Sequence, residues 1–415
     1  MGVDSTAFAS QVTIVGTLSE WLNIPPAAAY VHIPFCRRRC FYCDFPIYVV
    51  GDRGLNAGAN SSPSQSVVRY LQVLVREIAR SPRLNDRPLR TVFFGGGTPS
   101  VLDGAQLGQI LVALDRRFGL AADAEIAMEI DPGTFDLAKL QGYQAAGINR
   151  FSFGVQAFQP ELLAVCGRAH TVDDVAIAMD LIRQAGIANF SLDLISGLPG
   201  QTLAQWESSL AQAITYGPTH ISTYDLTIEA GTVFGKRYRP GEGALPEDET
   251  TATMYRVAHD RLTAAGYEHY EVSNYAKPGW QCRHNRVYWE NRAFYGFGMG
   301  ATSYLRGDRA MRPRQLQAYF DWVEQFDPMT VGPELEPEEL LLDTLMVGLR
   351  LIEGLAIKDL VPRFGDRLIG QVVDCLRPYE QAGWVVVDER IRLTAPEGFL
   401  FSNVVLVKLF DRFSE

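Results

Sequence analysis

The 415-residue chain lacks any stretch of about 18 consecutive apolar residues, so a transmembrane segment is not expected. It also lacks a basic surplus. Lys and Arg number 38 against 48 Asp and Glu, a net charge of −10, and a chain built to grip phosphate backbones is usually basic. No nucleic-acid partner is therefore expected. No basic segment followed by an apolar core opens the sequence, so no secretory signal is expected. The expected compartment is the cytoplasm, with peripheral membrane association left open. Cysteine is scarce, at six residues, and is not spaced as in a small disulfide-stapled domain. Solenoid repeats are absent. Hydrophobic residues at 47% and charged residues at 21% are ordinary for a globular protein, which excludes disordered and collagen-like classes.

What is present is a rhythm of short apolar segments and amphipathic ones. The pattern predicts strands near residues 29–33, 91–94, 125–130, 150–155, 189–195 and 220–226. Helices are predicted between them, the first carrying Val67, Tyr70, Leu71, Leu74 and Ile78 at helical spacing. Gly147, Gly186 and Gly217 read as helix C-caps. Alternating strand and helix implies an α/β fold with a parallel sheet. Eight units would close a barrel, so six imply an incomplete one or an open sheet. Either way, ligands belong at the carboxyl ends of the strands. Further on, a long helix is predicted over 248–265, one strand over 267–275, and a terminal hairpin around Asp388-Glu389-Arg390. The expected organisation is an N-terminal segment (1–25), a partial barrel of six units (26–235), an extension (236–326), a Pro- and Glu-rich linker (327–339) and a small C-terminal α+β domain (340–415). Helices with a terminal hairpin suit a winged-helix-like domain. From Glu339 onward, however, acidic residues outnumber basic ones 12 to 9, so DNA binding is not expected.

Three of the six cysteines, Cys36, Cys40 and Cys43, fall within eight residues just after the first predicted strand. The spacing C-x₃-C-x₂-C lets one tight loop hold three corners of a [4Fe–4S] cube and leave one iron open to an exchangeable ligand. A structural zinc is the alternative, with His32 as the fourth ligand that such a closed site needs. Gly95-Gly96-Gly97 ends the second strand, where glycine lets backbone approach a ligand closely. No Lys-Ser/Thr follows it, which excludes a Walker loop.

The run Tyr30-Val-His-Ile-Pro-Phe-Cys36 through Cys43 resembles the radical S-adenosylmethionine (radical SAM) superfamily, in the branch that holds oxygen-independent coproporphyrinogen III oxidases and haem chaperones (HemN/HemW). Further motifs recur in order: Gly95 to Pro99, Glu129-Ile-Asp131-Pro-Gly133, Phe153-Gly154-Val155-Gln156, Gly167-Arg168 and Asp193 to Pro199. The resemblance spans nearly the whole chain. It implies a [4Fe–4S] cluster on Cys36, Cys40 and Cys43. It also implies S-adenosylmethionine held by Gly96, Gly97, Thr98, Glu129, Gln156, Arg168 and Asp193, with Tyr42 and Tyr30 beside it.

Two features separate the branch members. The oxidases carry a fourth cysteine two residues after the third; here that residue is Phe45, and Cys43-Asp44-Phe45 is similar to the chaperones. His284-Asn285-Arg-Val-Tyr288-Trp289 fits the chaperone H-N-x-x-Y-W signature, which implies haem binding with His284 as a ligand and Cys282 as a competitor. Taken without the resemblance, this pair of residues reads equally well as a turn cap packed among aromatics. Where the chaperones often have Ala-His, this chain has Ala301-Thr302. The resemblance thus implies haem as a partner and a haem-acceptor protein as a second. The alternative is oxidative decarboxylation of porphyrinogen propionates, and no catalytic residue is assigned.

Overall fold

In the computed structural model, which describes residues 16–51, 65–239, 241, 243–325 and 336–413, six parallel strands follow one another in sequence and in space. They are Ala28–Ile33, Leu89–Gly96, Leu120–Ile130, Arg150–Gln156, Phe190–Ser196 and His220–Asp225. Helices Gln65–Arg80, Gly104–Phe118, Leu137–Ala146, Val172–Gln184 and Leu203–Tyr216 alternate with them. Most of the linker expected over 327–339 lies outside the described residues.

The strands are two-sided because side chains alternate with a period of two. One face carries Val92, Phe94, Ile126, Met128, Phe151, Phe153, Leu192 and Leu194, all buried in one core with helix residues such as Tyr70, Leu74, Ile110 and Leu114. The other face carries Phe93, Ala127, Glu129, Arg150, Ser152, Asp193, His220, Ser222 and Tyr224, which line an interior chamber. The amphipathic strands therefore position the site: their apolar face is held under helices, and their mixed face is left to the concave side.

A seventh parallel strand, Tyr295–Phe297, pairs outside the first. At the far edge Asn274–Ala276 runs antiparallel to His220–Asp225 and pairs in turn with Glu268–Glu271. The two edges of this nine-stranded sheet do not pair with each other, so the barrel is incomplete, as six units imply. The single strand expected over 267–275 is corrected to two. The chain reverses after Glu271, whose buried carboxylate accepts the Ser273 backbone N–H (3.3 Å) and the Asn274 side-chain amide, fixing the turn.

The C-terminal part has its own core. Helices Pro337–Gly348, Ile357–Gln381 and Ser402–Phe413 pack on a three-stranded antiparallel sheet of Leu355–Ala356, Arg390–Leu393 and Val385–Val387. The helix Ile357–Gln381 is broken at Gly365, whose φ is 80°. The short helix Leu18–Leu22 sends Trp21 into this same core, so the described part of the N-terminal segment packs with the C-terminal domain.

Candidate functional site

The cysteine loop leaves the first barrel strand at Pro34 and is gripped by the end of the second. Gly97 donates its N–H to the Ile33 carbonyl (2.8 Å) and Thr98 donates to the Phe35 carbonyl (2.8 Å). A Cβ on Gly97 would stand 2.8 Å from the Pro34 carbonyl, and Gly96 has φ +111° with the His32 ring where its Cβ would be. Only glycine permits this approach. The Thr98 hydroxyl donates to Cys36 Sγ (3.6 Å) and to Asp131 Oδ2 (3.2 Å). All three thiols are free; burial pushes Cys36 up to about 12 and Cys43 up to about 11. Without metal Cys36 and Cys43 are neutral thiols, and a metal cluster would take them as thiolates with release of protons.

His32 is not a fourth ligand. It is buried, with Nδ1 on the Tyr30 hydroxyl (3.0 Å) and Nε2 on the Pro46 carbonyl (2.9 Å). Three cysteines without His32 are one donor short of the four that a closed structural zinc takes, so the donor set fits a cluster with one open corner better than a closed zinc site.

Arg168 ties the loop to the sheet. Its guanidinium pairs with Asp131, donates to the Gly154 carbonyl (2.8 Å), and reaches Cys40 Sγ and the Tyr42 hydroxyl, both at 3.4 Å. Among the described residues its buried Nε has no partner. The carboxylate partner of this arginine is thus Asp131, two residues after Glu129 in sequence. Gln156 ends its strand at φ +69°, a strained conformation for a residue with a side chain, where the pairing register slips.

Glu129 accepts the Gly96 N–H (3.0 Å) and is pushed up to about 8, chiefly by burial and next by Asp193. Asp193 is also raised, by burial, although the Ser152 (2.9 Å) and Ser191 (3.3 Å) hydroxyls donate to it. Both carboxylates, Gly96 and Tyr30 line the chamber, whose volume is about 290 Å³. Phe45 stands at the chamber too, 56% exposed.

The seven-residue helix Arg283–Trp289 closes the chamber near the amino ends of the strands. Glu125 holds it there, accepting the backbone N–H of His284 (3.1 Å) and of Arg283 (3.3 Å). His284, Asn285 and Tyr288 face the chamber. His284 is fully buried. Its Nδ1 meets the Thr91 hydroxyl (2.8 Å), its Nε2 meets the Tyr288 hydroxyl (2.8 Å), and its ring stacks on Phe93. Both ring nitrogens are hydrogen-bonded within the chamber wall, so an axial bond from His284 to a haem iron would have to replace one of these contacts. Cys282 is buried as well, with its thiol pushed up to about 12.

The structure therefore brings Tyr30, Gly96, Glu129, Asp193 and His284 to one chamber. Cys36, Cys40, Cys43, Tyr42, Gly97, Thr98, Gln156 and Arg168 are not among its lining residues; Thr98 and Arg168 link Cys36, Cys40 and Tyr42 to Asp131. Sequence reasoning passed over Arg150, Ser152 and Ser222 as chamber residues. The available signal was their parity: polar residues at every second position of otherwise apolar strands.

Residues 30–213 match the radical SAM superfamily and residues 335–401 match the HemN C-terminal domain. Among curated proteins, the chain is 48% identical to the heme chaperone HemW of Synechocystis sp., over 94% of this chain and 98% of that protein. It is 35% identical to the heme chaperone HemW of Bacillus subtilis, over 91% and 97%. Among solved structures, the coproporphyrinogen III oxidase HemN of Escherichia coli superposes with a TM-score of 0.77 at 24% identity, over 93% of this chain and 90% of that one, a likeness of fold. The chain belongs to the radical SAM superfamily and, within it, to the family of the heme chaperone HemW proteins.

Proposed function

We propose that this protein binds haem and passes it to an acceptor protein, and that it carries a [4Fe–4S] cluster on Cys36, Cys40 and Cys43 with S-adenosylmethionine as an exchangeable partner. The observation that carries the reading is the close likeness to heme chaperones along the whole chain, joined to Phe45 at the place where the oxidases have a fourth cysteine. The bound cluster supplies an open iron and, when reduced, an electron. The chain's own residues do the rest. Gly96, Gly97 and Thr98 give backbone edges against the cysteine loop, and Glu129 and Asp193 offer carboxylates suited to an ammonium group or ribose hydroxyls. Arg168 acts as a positioning residue, spanning Asp131, Cys40 and Tyr42.

Anaerobic reconstitution tests the cluster. About four irons per chain are expected, lost on replacing Cys36, Cys40 or Cys43 and kept on replacing Cys166 or Cys375. Stoichiometric zinc without iron would count against it. For the function, the reconstituted protein is titrated with haem, mixed with a haem-free acceptor, and assayed in parallel with coproporphyrinogen III and reductant. Haem binding and transfer without decarboxylation is the expected result; conversion of coproporphyrinogen III would install the oxidase reading in its place.

A further inference from the structure

We infer that the inner end of the chamber is an anion site in which Arg150 receives the carboxylate of a small organic acid. Arg150 opens the fourth parallel strand and is 3% exposed. Its guanidinium donates to two neutral oxygens, Asn189 Oδ1 (3.0 Å) and the Trp280 carbonyl (3.3 Å). Among the described residues, no ion pair joins it to a carboxylate, in contrast to the buried Arg168 with Asp131 and the buried Arg312 with Glu77. A buried charge is normally paired, because removal from water is otherwise uncompensated.

Glu125 and Asp193 lie near enough to favour the Arg150 charge, but among the described residues neither reaches it as a direct ion pair. Glu125 turns both oxygens to the start of the helix Arg283–Trp289, and Asp193 accepts serine hydroxyls, so the fork of the guanidinium has no carboxylate seated on it. Burial holds the Cys282 thiol, His220 and His284 neutral. Arg150 faces the chamber together with Ser222 and Asn285, so a guest entering from the mouth meets a forked cation with polar neighbours. The chamber, at about 290 Å³, lies just below the usual range for ligand sites, a size that suits an acid of a few carbons. The site does not depend on the haem reading. Its carboxylate has two sources, a free small acid or a propionate arm of a tetrapyrrole.

The full-length reconstituted protein is titrated with sodium propionate against sodium chloride at equal ionic strength, following the thermal midpoint. Propionate is expected to raise the midpoint of the parent, and R150Q to lose that rise. Because R150Q leaves a buried site remade, R150K is the second variant. It keeps the charge but not the fork, and is expected to bind propionate about tenfold more weakly. No response of the parent at saturating propionate, or equal responses of parent, R150Q and R150K, overturns the site. Haem and haem dimethyl ester are then compared on parent and R150Q. Weakening of haem alone assigns the carboxylate to a haem propionate; unchanged haem with lost propionate response assigns it to a free acid. Failure of the parent to bind either porphyrin would count against the haem reading and leave the propionate result standing.

Discussion

Glu129 sits in the chamber with Asp193 for a neighbour, and burial followed by that like charge pushes it up from 4.5 to about 8. The folded value lies above the unfolded one, so between these values the native state holds a proton that the unfolded chain has released. The stabilisation is fully present below about 4.5 and is lost as pH rises through about 8. The metal-free protein is therefore expected to lose thermal stability across that window, and E129Q to flatten the profile; an unchanged slope in E129Q would refute the assignment. A cationic ligand reverses the preference, so S-adenosylmethionine binding is expected to release a proton near neutral pH and to tighten as pH rises through about 8. At His284 the expectation is structural. H284A strands the Thr91 and Tyr288 hydroxyls and removes the ring stacked on Phe93, which should cost about 2–4 kcal/mol in denaturant unfolding. The Soret band of the haem complex should not move; a shift in H284A would place imidazole on the iron.

At the scale of elements, the contact between one strand end and one loop decides the site. Adding a methyl group at Gly97 presses on the Pro34 carbonyl, and Pro34 leads directly into Cys36. G97A is thus expected to lose iron as well as the spectroscopic response to S-adenosylmethionine. G108A is the control, because its Cβ would meet only the Ala146 methyl at 4.0 Å. In the helix Gly104–Phe118 it should stabilise by about 0.5–1 kcal/mol and leave iron content unchanged. Equal iron loss in both variants would disprove the steric account. These elements were largely legible from sequence, because short apolar strands and helices with glycine caps repeat at even spacing. The reversal inside residues 267–275 was not, since its signal is a buried carboxylate holding a turn rather than a break in apolar pattern. The short helix at His284 was hidden likewise, because Glu125, 159 residues away in sequence, fixes its start. The motif marked the residues of the site, while only the fold showed that His284 and Tyr288 bond to each other and His284 to Thr91.

At the scale of the whole molecule, the cores of the barrel and of the C-terminal domain are separate clusters, joined by polar contacts and by a small apolar cluster of Tyr270, Ala276 and Leu351. Arg256 makes a forked pair with Glu397 (2.8 and 3.2 Å), Arg286 pairs with Glu353, and the Asn291 amide donates to the Thr344 hydroxyl (3.1 Å). Polar contacts beside so small an apolar cluster couple the units more weakly than one shared apolar core does. Trp21 is 5% exposed in the C-terminal core, with the Arg363 guanidinium over its ring at 5.3 Å. It lies outside the barrel core, although the chain runs from it straight into the first barrel strand. W21A is therefore expected to remove about 3–5 kcal/mol from the C-terminal unit alone. Two probes separate the units: far-ultraviolet circular dichroism for total helix, and cluster absorption for the barrel. In the parent the two signals should fall close together. In W21A part of the helix signal should fall at lower denaturant while cluster absorption keeps its parent midpoint. If cluster absorption moves down with the helix signal by the same amount, the two cores unfold as one and the polar contacts are stronger than their chemistry suggests.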